Sequence, residues 1–311
     1  MNPVSLDVSV RRVAYDGGMD LRDRVAIVTG AGSGLGAALA VTLSRLGARL
    51  VLVGRRRDRL EDVSARCRGR DTLICAADVG IAAEVNRVVA SAIERFGQLD
   101  IVVNNAAVAL GGTLTALTPR EVEYLVRVDL VAPIWLCQSA LPHLLDSAAG
   151  RVVNVGSLSG LLAMPSQSAY CGAKFGLRGF TEALRHDLVG TSVKVLAVYP
   201  GAMDTEMNTA ESRDKAGIKG VAAKTVHPDD AAARIVRAMR DGRSEIIVAP
   251  LPSRLMPVVQ RWFPAVFSRL AQRVRPEMDA FMLESNNWAR ERMASPPVGR
   301  ASGGAEAEPH S

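Results

Sequence analysis

Tyr170-Cys171-Gly172-Ala173-Lys174 sets a phenol and an ammonium four residues apart. On a helix that spacing puts both groups on one face, one turn from each other. A phenol beside a fixed cation is a candidate proton donor and acceptor, because the positive charge stabilises the phenolate. A free tyrosine titrates near ~10, and bringing it to about 7 takes roughly 4 kcal/mol at ~1.36 per unit. One charge about 4 Å away, at an effective dielectric of about 20, supplies roughly that amount. Ser157 lies just past the apolar run Arg151–Val155, where a strand of a parallel sheet would meet its ligand. A hydroxyl there can stabilise a developing alkoxide.

A second chemical signal is Thr29-Gly30-Ala31-Gly32-Ser33-Gly34-Leu35-Gly36, between the apolar run Val25–Thr29 and an Ala/Leu-rich stretch ending at Leu46. Glycines between a strand and a helix let the backbone turn tightly and approach a pyrophosphate, whose charge meets the helix N-terminus. The spacing is T-G-x-x-x-G-x-G rather than G-x-G-x-x-G. At the end of the next apolar run stands Gly54-Arg55-Arg56-Arg57, where an NAD enzyme usually carries a carboxylate for the ribose 2′-hydroxyl. A guanidinium suits a 2′-phosphate by charge and by forked hydrogen bonding. NADP(H) is therefore favoured over NAD(H), with Arg55 the first candidate and Arg56 the second. A solvated basic turn is the plainer alternative for the same arginines.

These groups need a scaffold. Short apolar runs recur at Val25–Thr29, Arg49–Val53, Leu73–Ala76, Ile101–Val103, Arg151–Val155, Val193–Val198 and Glu245–Val248, separated by helix-length segments. Gly47 is placed to end the first helix. Strands alternating with helices read as βαβ units, which predicts an α/β fold with a seven-stranded, doubly wound, Rossmann-type parallel sheet and helices on both faces. Residues 21–250 form that single domain, and residues 1–20 form an N-terminal extension without periodicity. Met19, just before the first strand's lead-in, is an alternative initiator. Residues 251–293 read as a helical extension, split or kinked at Pro264, and 294–311 as a disordered tail. In the extension, Arg254, Arg261, Arg269 and Arg273 are expected on one helical face, with Trp262, Phe263, Val266 and Leu270 on the other.

Taken together, the glycine turn, Asp78-Val79, Asn104-Asn105-Ala106-Ala107, Ser157, the Tyr170/Lys174 pair and Pro200-Gly201-Ala202-Met203-Asp204-Thr205 resemble the short-chain dehydrogenase/reductase family over residues 21 to about 250. The resemblance implies that Gly30, Ser33, Gly34, Leu35 and Gly36 cradle the pyrophosphate. It implies that Asp78 and Val79 touch the adenine, and that Asn104 lines the cofactor cleft beside Ala106 and steadies the central sheet. Thr205, with the backbone at Pro200 and Gly201, would fix the nicotinamide carboxamide. Ser157 would polarise the substrate oxygen, and Tyr170 would act as general acid in reduction and general base in oxidation. Lys174 would bind the nicotinamide ribose and lower the Tyr170 pKa. The family commonly carries asparagine in a V-N-x-x-x-P context, through whose carbonyl a water is linked to the lysine. Here the context reads Val128-Asp129-Leu130-Val131-Ala132-Pro133. Asp129 keeps that carbonyl but adds a carboxylate near Lys174, which is expected to support activity with a shifted pH optimum.

The remaining composition narrows the classes. The chain has 311 residues, is 48% apolar and carries a net charge of +6, enough apolar content for a large core. Its basic residues are scattered rather than clustered, against nucleic-acid binding, and a positive field favours an anionic cofactor. Cys67, Cys75, Cys137 and Cys171 form no C-x-x-C pair, so free thiols in a reducing, cytoplasmic compartment are expected. His143, His186, His227 and His310 are isolated, and no metal site is expected. His143 and His186 read as surface or capping residues, Cys171 as space-filling, and Trp135, Phe175 and Phe180 as core or subunit contacts. No apolar run reaches the ~18 residues of a membrane span.

Three readings follow for function. The first is an alcohol/carbonyl oxidoreductase for a small molecule, with a lid around and after Thr205, through about Val226, to which Met203, Met207 and Ile218 are assigned. Its substrate would be apolar-bodied, and the C-terminal extension loosely resembles those of relatives acting on steroid-, retinoid- or lipid-like carbonyls. The second is a non-catalytic cofactor-sensing or interaction protein on the same fold. The third adds weak peripheral contact of residues 254–275 with an anionic membrane, against a lid or dimer contact. The resemblance implies a homodimer or homotetramer.

Overall fold

The computed structural model describes residues 18–67, 71–205 and 225–294. Seven apolar runs become strands: β1 (Val25–Thr29), β2 (Arg49–Gly54), β3 (Thr72–Ala76), β4 (Ile101–Asn104), β5 (Arg151–Val155), β6 (Lys194–Pro200) and β7 (Glu245–Val248). They form one sheet in the order 3-2-1-4-5-6-7, every neighbouring pair parallel. The chain starts in the middle, winds outward to β3, then crosses over to β4 and winds the other way. That reversal opens a crevice beyond the carboxyl ends of β1 and β4, the position at which doubly wound sheets take their ligands.

Strand side chains alternate between faces with period two. Ala26, Val28, Leu50 and Leu52 enter one core with α1 (Gly34–Arg45). Val25, Ile27, Val51 and Val53 enter the other with α3 (Ala82–Phe96). Both faces are thus covered, which is why the strands lack polar alternation. Helix α2 (Arg57–Arg66) links β2 to β3. Gly47 adopts φ +99° one residue past the α1 cap, a left-handed conformation that glycine takes without Cβ strain.

Between β4 and β5 the chain builds α4 (Pro119–Val126), a π-helical turn (Arg127–Val131) and α5 (Ala132–Asp146) as one continuous helical run. Thr118 and Glu121 cap its start reciprocally. Contrary to the sequence expectation, Pro119–Asp146 is long and apolar enough, by length and composition, to cross a membrane. Its apolarity is used within the fold, since Leu136, Cys137, Ala140 and Leu144 are buried in the second core. Helix α6 (Ser168–Asp187) follows β5, and α7 (Pro228–Arg240) packs on α1 ahead of β7. Met19 is held by Arg240, which accepts from the Met19 amide at 3.1 Å and donates through Nε to its carbonyl at 2.8 Å.

Beyond β7 come α8 (Leu251–Trp262) and α9 (Pro264–Ala294), separated at Phe263. The pyrrolidine of Pro264 cannot continue the hydrogen-bond ladder and clashes with the preceding turn, so the helix divides there. The separation of arginines from apolar residues expected in this region is not what forms. Arg261, Arg269 and Arg273 are exposed, and so are Trp262, Phe263, Val266 and Leu270. The side facing the protein is supplied instead by Phe267 and, further along, Met282, Ser285, Asn286 and Ala289. The N-terminal extension before residue 18, the tail beyond 294 and the lid residues Met207 and Ile218 lie outside the described residues.

Candidate active site

Ser157 follows β5 directly, while Tyr170 and Lys174 occupy the first two turns of α6. Tyr170 is half-buried and Lys174 only 1% exposed. The Lys174 Nζ lies 5.6 Å from the centre of the Tyr170 ring. The Ser157 hydroxyl accepts from the Ser159 amide at 3.1 Å and lies close enough to the Tyr170 phenol to lower its pKa. The three groups that the sequence singled out are therefore brought together.

The fourth candidate joins them more intimately than its sequence context implied. Asp129 sits in the π-helical turn, is fully buried, and places Oδ2 3.1 Å from Lys174 Nζ. Its Oδ1 accepts from the Val108 amide at 2.7 Å, so the carboxylate also pins the chain beyond β4. A π turn inserts one extra residue per turn and often marks a functional site. Here it turns Asp129 inward toward α6.

Around Tyr170, burial is the largest influence, and Lys174 acts against it in the expected direction. Burial pushes the phenol upward, Lys174 pulls it down, and Asp129 pushes it up again, leaving its pKa above the ordinary tyrosine value. Lys174 lowers the phenol as the sequence implied, with Asp129 acting against it by a smaller amount. Burial disfavours the Lys174 ammonium, yet Asp129 and then Tyr170 outweigh that penalty and hold its pKa above the usual lysine range. Burial also raises Asp129, and the neighbouring ammonium only partly offsets it.

The glycine turn shows the close backbone packing that such a cradle requires. Gly30 has φ +64°, and a Cβ there would stand 2.9 Å from the Ala106 Cα. A Cβ on Gly36 would collide with the Gly30 carbonyl oxygen. Thr29 Oγ1 accepts from the amides of Asn105 and Ala106 at 2.9 and 3.0 Å, fixing the turn to the chain after β4. Ser33 stands at the N-cap of α1, its hydroxyl making no capping bond. Leu35 is buried in the core, so only its backbone faces the turn. Thr205 lies across Gly34, its Cγ2 3.1 Å from where a Cβ would be. Pro200 ends β6, and the Gly201 amide donates to the Val248 carbonyl at 3.0 Å.

Asn104 keeps the sheet-steadying part of its expected role, while its side chain is turned away from the crevice. Its side chain is buried and donates to Asn154 Oδ1 at 2.8 Å, so it steadies the sheet and does not line the crevice. The residue that does reach the turn is Asn105, whose Nδ2 donates to the Thr29 carbonyl at 2.9 Å. At the adenine end, Arg55 Nη1 donates to the Tyr124 hydroxyl at 2.9 Å. Arg56 occupies the N-cap of α2, one residue further from that contact. Asp78 accepts from the Gly80 amide at 2.8 Å, and Val79 is half-buried between two apolar clusters. Tyr124 carried no signal in the sequence.

Other candidates lie apart. All four cysteines are buried and unpaired, and burial raises their thiols, Cys137 to about 12. His227 caps α7 by accepting from the Asp229 amide at 3.3 Å. Met203, read from the sequence as part of the lid, packs instead on the first core beside Val226. Trp135 and Phe180 pack on the second core, whereas Phe175 is 40% exposed. Among the described residues no three metal-ligating side chains converge.

A family model described as short chain dehydrogenase matches residues 24–216. An uncharacterised oxidoreductase of Staphylococcus aureus (strain N315) is 32% identical over 235 residues, covering 74% of this chain and 99% of that protein. A short chain dehydrogenase from Burkholderia cenocepacia, solved with NADP, has a TM-score of 0.68 and 30% identity, covering 74% of this chain and 98% of its own. Another from Burkholderia phymatum, solved with NAD, has a TM-score of 0.69 and 25% identity, covering 78% of this chain and 96% of its own. With the sheet order, the glycine turn and the Ser157/Tyr170/Lys174 cluster already in place, these matches make the chain an NAD(P)-binding oxidoreductase that belongs to the short-chain dehydrogenase/reductase family.

Proposed function

We propose that this oxidoreductase interconverts an alcohol and a ketone or aldehyde with NADP(H), and that Tyr170 moves the proton. The observation that carries the reading is the meeting of Ser157, Tyr170 and Lys174 beside the crevice opened by β1 and β4. The turn fits a dinucleotide, because Gly30 and Gly36 let it pack tightly on itself and on Asn105 and Ala106 at the N-terminus of α1, where a pyrophosphate would meet the helix end. Gly30, Ser33, Gly34, Leu35, Gly36 and Ala106 would hold the pyrophosphate side. Thr205, Pro200 and Gly201 would hold the nicotinamide side. The bound nicotinamide supplies or accepts the hydride.

In reduction, Ser157 donates toward the carbonyl oxygen and Tyr170 delivers the proton to that oxygen as negative charge builds on it. In oxidation the same phenol, deprotonated, takes the hydroxyl proton. Lys174 stabilises the phenolate, and Asp129 tempers that stabilisation. Tyr170→Phe keeps the ring but removes the proton. Its turnover should fall by about 10²- to 10⁴-fold while NADPH still binds, as read by cofactor fluorescence. Retained turnover in that variant would overturn the mechanism.

The NADP(H) preference rests on Arg55, since a guanidinium bonded to a neutral phenol, and to no carboxylate among the described residues, can exchange it for a phosphate. The proposed substrate has an apolar body. A cavity of about 520 Å³ between Gly112–Leu114, the segment around Ala163–Ser166 and the two C-terminal helices is lined by the apolar Leu114, Met164 and Phe267 and by the polar Ser166, Gln272 and Arg275. It borders the segment leading to Tyr170 and is large enough for a small organic ligand. Assaying a graded series of ketones with NADPH tests this, with kcat/KM expected to rise with the length of the apolar body.

A further inference from the structure

We propose that α8 and the first turns of α9 dock on an anionic lipid bilayer. Leu251, Leu255, Val258 and Trp262 are 68, 55, 53 and 70% exposed. At ~100° per residue these positions fall within about 60° of one another around the helix, so they form a single outward stripe. Phe263 at the break is 61% exposed, and Val266, Leu270 and Val274 carry the stripe onto α9 at 50, 39 and 37%. Isolated surface apolar residues need no explanation, but eight exposed ones within residues 251–274 are concentrated enough to mark an interaction site.

The charge around the stripe names the occupant. No Asp or Glu stands between Glu245 and Glu277, whereas five arginines do. Arg254 donates to the Ala249 carbonyl at 2.7 Å, and Arg275 pairs with Asp279 at 3.6 Å. Arg261, Arg269 and Arg273 are exposed and have no acidic partner among the described residues. Arg269 and Arg273 lie within one turn of Val266 and Leu270, beside the apolar stripe rather than opposite it. A second copy of this chain fits poorly. Face to face, two such surfaces would set arginine against arginine with no carboxylate between them, and like charges across an interface are repulsive. A bilayer with anionic headgroups offers counter-charge to all three arginines and an apolar layer to the stripe. Trp262 is the residue type that settles at such a boundary.

Vesicle co-sedimentation of the full chain tests this, using phosphatidylcholine alone and phosphatidylcholine mixed with phosphatidylglycerol. The wild type should sediment with the anionic vesicles, weakly with the neutral ones, and be released by salt near ~1 M. Bound protein should show a blue shift in tryptophan emission that Trp262→Phe removes. The triple variant Arg261→Glu/Arg269→Glu/Arg273→Glu should lose vesicle binding by at least about tenfold, with melting temperature and turnover unchanged. Equal binding by wild type and triple variant, or none by either, would overturn the proposal. So would a fall in solution mass for Leu255→Glu/Val258→Glu with vesicle binding intact, which would make the stripe a subunit contact.

Discussion

Asp129 and Lys174 form a buried ion pair beside Tyr170, and each acts on the phenol with a definite sign. The Asp129 anion helps to hold the phenol's pKa above its ordinary value. Asp129→Asn removes that anion while keeping shape. With Lys174 still charged, held by its contact with Tyr170, one of the two main upward pushes on Tyr170 is lost and the phenol's pKa falls, although burial still raises it. Reduction needs protonated Tyr170, so its alkaline limb should move to lower pH. Oxidation needs the phenolate, so its acidic limb should move down too. Profiles of kcat/KM in both directions check this, and superimposable wild-type and Asp129→Asn curves would sink it. Asp129→Ala should cost more, about 3–5 kcal/mol of stability, because it strands a buried ammonium. Much of this site was legible in the sequence. Tyr170, Lys174 and Ser157 depend on local spacing and on a strand end, both of which a sequence displays. Asp129 was legible as an oddity, but its ion pair with a residue 45 positions away was not. Asn104 was misplaced because adjacent residues face opposite ways, and strand phase alone decides which one enters the crevice. Tyr124, 69 residues from Arg55, left no local trace.

The strands were legible as elements because both faces of the sheet are covered, which makes each strand a continuous apolar run set off from amphipathic helices. The long C-terminal helix was harder to read, since its partners are distant in sequence. Asn286 donates to the Gly111 carbonyl at 2.7 Å and accepts from the Gly111 amide at 2.9 Å, across 175 residues. Arg290 pairs with the buried Glu121 at 2.6 Å and lowers that carboxyl's pKa. Asp279 accepts from Ser166, and Met282 packs against Gly111. The second half of α9 thus clamps the two loops that frame the cavity beside Tyr170, while its first half stays outside with α8. This split explains why one amphipathic pattern could not describe the whole extension. Asn286→Ala would leave both polar groups of Gly111 buried and unpaired, at about 1–3 kcal/mol. Urea unfolding should show that loss, and KM should rise with kcat little changed. A variant as stable as wild type and with the same KM would mean that the clamp does not position the loop.

For the molecule as a whole, the crevice couples cofactor identity to global stability, because a dinucleotide cradle split between the ends of β1, β2, β4 and β6 exists only when the sheet is assembled. A ligand that binds the folded state alone adds about 2.7 kcal/mol at ~100 times its Kd. In a chain of this size 1 kcal/mol moves the melting temperature by about 2–4 °C, so saturating NADP⁺ should raise it by about 5–11 °C. If Arg55 gives about tenfold preference for the 2′-phosphate, equal NAD⁺ should stabilise by about 1.4 kcal/mol less. The melting temperatures with the two cofactors should then differ by about 3–6 °C. Arg55→Glu should erase or invert that gap, since a carboxylate repels the phosphate and accepts from the ribose hydroxyl. Gly30→Val should abolish both shifts, because its side chain would enter the space against Ala106. Tyr170→Phe should retain both, which separates binding from chemistry. Equal shifts for NADP⁺ and NAD⁺ in the wild type would remove Arg55 as a selector, yet leave the roles of Ser157, Tyr170 and Lys174 standing, since proton transfer does not pass through the 2′-phosphate.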